Sequence, residues 1–205
     1  MQALKICGIR SAALAALAAK AQVDYLGFIF AETSRRRIAP REALEIGASL
    51  PRGVRRVGVF GLCPLAQALE TAREARLDVV QLHDEAWNRE AAEALKAAGY
   101  EVWALATGAQ PPATSAAAVS DAVLLDARAG AMKGGTGLRA DWSLVAPLKA
   151  AGRRVVLAGG ISPENLAEAR MTGADVLDVN SSLETAPGEK SPERLRQLIE
   201  AWRAS

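Results

Sequence analysis

Three side chains with acid–base chemistry each close a short apolar run. Cys7 follows Leu4-Lys5-Ile6, His83 follows Val79-Val80-Gln81-Leu82, and Asp126 follows Val123-Leu124-Leu125. A thiol beside a cation favours the thiolate, which is the reactive form. Lys5 stands two residues before Cys7, on the same face of an extended strand. The competing reading of Cys7 is a small buried apolar group, and the residues alone leave both open. Asp126 reads either as a site acid, its proton retained by burial, or as the cap of the loop that follows. His83 reads as a general base or as a hydrogen-bonded wall residue, with Gln81 on the same inward face.

Two further runs fit an anion. Gly159-Gly160 is followed by Ser162-Pro163 at an expected helix start, and Asn180-Ser181-Ser182 follows another apolar run. Backbone N–H groups at such turns and helix starts bind phosphate, and glycine lets the anion approach. The plainer reading is a tight turn. Arg36, within Ser34-Arg35-Arg36-Arg37-Ile38, offers a bidentate grip on a carboxylate, while Arg35 and Arg37 read as solvated charge. Cys63, before Pro64 at a helix start, reads as structural.

Placing these groups together requires a scaffold. Short strands are expected near Leu4–Cys7, Tyr25–Phe30, Arg56–Phe60, Val79–His83, Val102–Leu105, Ala122–Asp126, Val155–Ala158 and Val176–Asn180. Helical stretches are expected at Ser11–Lys20, Pro40–Ala48, Pro64–Ala75, Asn88–Ala98, Asp141–Ala151, Pro163–Thr172 and Ser191–Arg203, with only a short one at Ala116–Val119. Strand alternating with helix implies parallel strands and right-handed crossovers. Eight such units in 205 residues predict one α/β domain over residues 1–205, a (β/α)8 barrel. An open doubly wound sheet is disfavoured because the first strand is not followed by G-x-G-x-x-G. In a barrel the groups above all fall at the C-terminal rim, where active sites lie. Alternation turns Lys5 and Cys7 inward, and a buried ammonium needs a partner, for which Asp126 and Asp178 are the candidates. Ala127–Gly137, rich in small residues, is expected to form a loop that closes over a ligand.

Composition narrows the partners. Lys plus Arg number 25 and Asp plus Glu 23, too small a bias for a nucleic-acid or anionic-membrane partner. No run approaches the roughly 18 to 20 apolar residues of a membrane span. Two cysteines make no disulfide framework, and the start MQALKICGIR carries no basic leader and long apolar run, so a cytoplasmic setting is expected. One histidine excludes a multi-histidine metal site, so no metal is expected.

Taken in order along the whole chain, these residues resemble the phosphoribosylanthranilate isomerase family of tryptophan biosynthesis. The resemblance rests on Lys5-Ile6-Cys7-Gly8, Gly27-Phe28-Ile29-Phe30, Ser34 to Ile38, Val57-Gly58-Val59-Phe60, Val80-Gln81-Leu82-His83 and Leu125-Asp126. It continues through Gly134-Gly135-Thr136-Gly137 with Asp141-Trp142, Leu157-Ala158-Gly159-Gly160-Ile161, and Asp178 to Glu184 with Pro187-Gly188 and Lys190. It implies a single-domain (β/α)8 barrel that needs no cofactor and carries out an Amadori rearrangement on a phosphorylated small molecule. It implies Cys7 as general base, Asp126 as general acid and Arg36 as the grip on the anthranilate carboxylate. Gly159, Gly160, Ser181 and Ser182 are implied as phosphate-binding, and Gln81, His83 and Asp178 are expected to line the substrate with Arg36. A monomer or homodimer is expected. The chain departs from the family pattern at Arg35, Asp84, Ala140 and Ser182. Indole-glycerol-phosphate synthase and ribulose-phosphate epimerase fit less well, the first for its longer chain and catalytic lysine, the second for its histidine-rich metal site. A non-catalytic or differently specific sugar-phosphate-binding barrel remains the rival reading.

Overall fold

A computed structural model describes residues 2–106, 108–126 and 141–204. Eight parallel strands close into a barrel in sequence order. They are β1 (Ala3–Ile6), β2 (Tyr25–Ile29), β3 (Arg55–Phe60), β4 (Val79–Leu82), β5 (Glu101–Leu105), β6 (Ala122–Leu125), β7 (Val155–Leu157) and β8 (Val176–Val179). The outer layer holds α1 (Ala12–Lys20), α2 (Pro40–Ala48), α3 (Leu65–Glu74), α4 (Arg89–Ala97), α5 (Val145–Ala150), α6 (Leu166–Met171) and α7 (Pro192–Ala204). A single 3-10 turn, Ala116–Ala118, replaces the helix after β5, as the short apolar stretch there predicted. The fold expectation is met. The expected loop at Ala127–Gly137, and Ala140, lie outside the described residues.

The elements form for local reasons. Pro40 opens α2, where its missing N–H costs nothing, and Glu42 accepts from the Ala39 amide at 2.9 Å. Asn88 caps α4 by accepting from the Ala91 amide at 3.0 Å. Alternation divides each strand. Leu4, Ile6, Leu26, Phe28, Val80, Leu82, Val123 and Leu125 face the helices in one large core. Tyr25, Val57, Val79, Trp103, Leu124, Val156 and Val176 fill the barrel. β3 and β5 end where expected and the other six strands end one residue before their expected end, so Cys7, His83, Asp126 and Asn180 stand just beyond the ladder.

One contact recurs from strand pair to strand pair. The aspartate immediately before each even-numbered strand accepts from an amide of the strand preceding it. Asp24 accepts from Leu4 N at 2.8 Å and Asp78 from Arg56 N at 2.7 Å. Asp121 accepts from Val102 N at 2.8 Å and Asp175 from Val155 N at 2.7 Å. Each carboxylate satisfies a strand amide that has no ladder partner there, and so fixes the stagger at the N-terminal rim.

Inside that rim, Glu101 is clasped by Arg55, by Arg154 at 2.5 Å and by the Trp103 indole N–H at 2.5 Å. Arg154 also donates to the Tyr25 hydroxyl at 2.8 Å. Burial works against the Glu101 charge, but the bonds from Trp103 and Arg55 hold its pKa below the ordinary value. A depressed carboxylate contributes stability that is present above its unfolded pKa of about 4.3 and lost as pH falls through the folded value. In urea titrations, Glu101→Gln is therefore expected to be less stable than the parent at pH 7. The gap should narrow as pH falls below about 4. A constant gap across that range would overturn the assignment.

Candidate active site

Cys7 sits immediately after β1, and its amide extends the ladder by donating to Val179 O at 2.9 Å. The thiol faces the barrel interior and is 4% exposed. Its room comes from β2. A Cβ at Gly27 would stand 2.8 Å from Cys7 Sγ and 3.1 Å from Lys5 Cε. Any larger residue there would displace either the thiol or the ammonium.

Lys5 is wholly buried below the thiol. Its ammonium donates to Asp178 Oδ2 at 2.6 Å and to Gln81 Oε1 at 2.9 Å. Of the two candidate partners, Asp178 is the one. It lies opposite Lys5 in the β1–β8 register, whereas Asp126 pairs elsewhere. Burial lowers the Lys5 pKa, but Asp178 and the Cys7 thiol outweigh it, and the group ends above its ordinary value. Among the described residues Asp178 Oδ1 is buried and finds no hydrogen-bond partner, an acceptor that a substrate hydroxyl would satisfy.

Burial also pushes the Cys7 thiol up. Lys5 pulls it down, as the sequence predicted, and Lys190 adds to that pull. Neither overcomes desolvation together with the Asp178 charge, so the net position lies above the ordinary thiol value.

Across the barrel, His83 Nε2 lies 3.2 Å from Asp126 Oδ2, and Gln81 Nε2 lies 3.2 Å from His83 Nδ1. Both side chains remain partly open to the mouth, His83 at 29% and Asp126 at 14%. His83 therefore touches the expected acid directly.

At the β7 and β8 ends, Gly159 and Gly160 adopt φ of +80° and +78°, a region only glycine enters freely. The helix expected to open at Ser162-Pro163 begins later, at Leu166. The reason is Asn165, which accepts from the Ser162 amide at 2.9 Å and donates to Gly160 O at 2.8 Å, closing a turn instead. Ser182 Oγ donates to Ile161 O at 2.6 Å and fastens the two loops together. The serine that departs from the family pattern thus ties the loops after β7 and β8 together with its side chain. Ser181, beside it, is exposed.

Residues 4–201 match the family model described as N-(5'-phosphoribosyl)anthranilate isomerase. The chain belongs to this family. An N-(5'-phosphoribosyl)anthranilate isomerase of Paracoccus denitrificans is 38% identical over 96% of this chain and 94% of its own length. The crystal structure of the Thermus thermophilus isomerase superposes with a TM-score of 0.85 at 40% identity, covering 100% of this chain and 99% of that one. Another isomerase, solved with reduced 1-(o-carboxyphenylamino)-1-deoxyribulose 5-phosphate, superposes at 0.81 with 28% identity, each chain covered completely. Phosphoribosylanthranilate isomerisation, a step of tryptophan biosynthesis, is the activity these matches support.

Beside this candidate site, two residues went without a role in the sequence reading: Glu184 and Lys190. A two-stranded hairpin, β9 (Glu184–Ala186) and β10 (Glu189–Lys190), rises over the β8 end. Glu184 receives Arg36 Nε and Nη2, each at 2.7 Å. That occupies one edge of the guanidinium and leaves the Nη1/Nη2 edge for a second carboxylate. Arg35 and Arg37 are exposed, as expected for solvated charge. Lys190 is almost wholly buried and donates to Asn180 Oδ1 at 2.8 Å and Asn180 O at 3.0 Å. Pro187-Gly188 between Glu184 and Lys190 was the available signal, since such a pair marks a turn that sets its flanks side by side. Cys63 is partly buried against the helical core, in keeping with a structural role.

The two cations predict a titration. In a Cys63→Ser background, iodoacetamide labels Cys7 with a rate that rises with pH. Lys190→Met removes one cation and should move the midpoint up. Lys5→Met also leaves Asp178 uncompensated and should move it up further. An unchanged midpoint in both folded variants would refute the electrostatic account.

Proposed function

We propose that the isomerisation runs between Cys7 as general base and Asp126 as general acid across the mouth of the barrel. The observation carrying this reading is their placement. They stand just beyond β1 and β6 on one rim, one against the buried Lys5 pair and the other against His83. Arg36 would take the anthranilate carboxylate on its free guanidinium edge. Gly159, Gly160, Ser181 and Ser182 would take the phosphate through backbone N–H groups in two loops already fastened together. Gln81, His83 and Asp178 would line the sugar, with Asp178 Oδ1 accepting from a hydroxyl.

The steps follow from that arrangement. Asp126 protonates the ribose ring oxygen, and the nitrogen lone pair forms C=N⁺ as the ring C–O bond breaks. The resulting cation acidifies the C2 hydrogen and draws electrons as the C2–H bond is broken. It also adds a third positive charge near Cys7, alongside Lys5 and Lys190, so the thiolate is favoured at the step that needs it. Cys7 removes the C2 proton, and the enolamine tautomerises to the ketone. Acid and base approach one sugar from different strands, which is positioning that a closed barrel supplies. The chain would act as one catalytic domain, residues 1–205, as a monomer or homodimer in the cytoplasm. Among the described residues no helix is long and apolar enough to cross a membrane.

Purified protein is expected to consume phosphoribosylanthranilate without added metal, followed as loss of anthranilate fluorescence. Cys7→Ser and Asp126→Asn should each lower kcat by roughly 10²–10⁴-fold or more. Near-parental rates in both would overturn the two roles. Tight binding of a product analogue without turnover would leave only a binding barrel.

A further inference from the structure

Gln81 and His83 lie between base and acid and perform neither role. Their contacts nevertheless form one line, from Lys5 Nζ to Gln81 Oε1 at 2.9 Å, from Gln81 Nε2 to His83 Nδ1 at 3.2 Å, and from His83 Nε2 to Asp126 Oδ2 at 3.2 Å. The direction of every bond in it is forced. An ammonium carries donors only, so Gln81 must turn its oxygen toward Lys5. The amide nitrogen, also a donor only, then faces His83 Nδ1. That ring nitrogen is an acceptor, and the one proton of the neutral ring sits on Nε2, toward Asp126. Flipping the amide would set an NH2 group against a buried ammonium. Moving the ring proton to Nδ1 would set two donors against each other. Both arrangements set donor against donor beside the buried Gln81 amide, and the Lys5–Asp178 pair holds the starting point in place.

We propose that Gln81 and His83 are positioning residues that fix the imidazole as its Nε2–H tautomer and so orient the carboxyl of Asp126. Oδ2 accepts from His83 Nε2–H. When the carboxyl O–H bond breaks and the proton passes to the ribose ring oxygen, the carboxylate left behind still holds the hydrogen bond from His83. That bond favours the product of the transfer over its start. The inference rests on Asp126 being the general acid.

His83 is the single histidine of the chain, so ¹⁵N-histidine labelling yields one imidazole and no assignment problem. Two-bond ¹H–¹⁵N correlation spectra of the free protein, at a pH where the ring is neutral, should show the Nε2–H tautomer. Gln81→Met should turn this into a mixture. It should also lower kcat by about tenfold while moving KM far less, as expected when geometry rather than binding is lost. His83→Gln keeps an amide donor near Asp126 and should retain more activity than His83→Phe. A neutral ring protonated on Nδ1 overturns the proposal, and that spectrum needs no variant to fold. So does a Gln81→Met protein whose tautomer and kcat both match the parent. Full activity in Asp126→Asn would instead remove the acid role beneath it, which separates the two failures.

Discussion

A charged ammonium with no access to water constrains the whole catalytic end of this barrel. Lys5 is buried completely, and removing a partner from such a pair costs about 3–5 kcal/mol. Three features answer that demand. Asp178 must stand opposite Lys5, which ties the closing contact between β8 and β1 to a single register. Gln81 must present its oxygen from β4, on the other side of the barrel. Gly27 must lack a side chain, because a Cβ there would meet both Lys5 and Cys7. Apolar residues of similar volume would fill the same space at no such cost, so the charge is explained by what it organises rather than by stability.

The same cation arranges chemistry of opposite character on two sides. Toward β1 it opposes the desolvation of a thiol that burial would otherwise keep firmly protonated. Toward β4 it dictates the orientation of an amide and, through it, of an imidazole. At the other rim, the Arg55–Glu101–Arg154 clasp and the four aspartate–amide bonds hold the strands without touching the reacting groups. Stability and catalysis thus occupy opposite ends of one cylinder, the usual division in this architecture.

Much of this was legible in the sequence because it follows from period and position. Alternation placed Lys5 and Cys7 inward, and the ends of apolar runs located Cys7, His83 and Asp126 to within one residue. What escaped depended on distant pairing. Nothing local distinguishes Asp178 from Asp126 as the partner of Lys5; only the closing register does. Arg36 was visible as a carboxylate grip, but its guanidinium is already half engaged by Glu184, which lies 148 residues away. The delayed start of α6 escaped because Ser162-Pro163 is a sound helix opening by itself, and only the two hydrogen bonds of Asn165, one accepted and one donated, divert it into a turn.

The aspartates before β2, β4, β6 and β8 bond backward, so the strands are tied two by two: β1 with β2, β3 with β4, β5 with β6, β7 with β8. The cylinder is in this sense a tetrad of doublets. A chain break relocated to the seam between α2 and β3 would cut no carboxylate tie at this rim. One between α4 and β5 spares the four aspartates but parts Glu101 from Arg55. One placed inside a doublet would leave an acid and its amide on separate pieces. The seam between α2 and β3 marks where such a barrel can be opened or rejoined with least damage to its base.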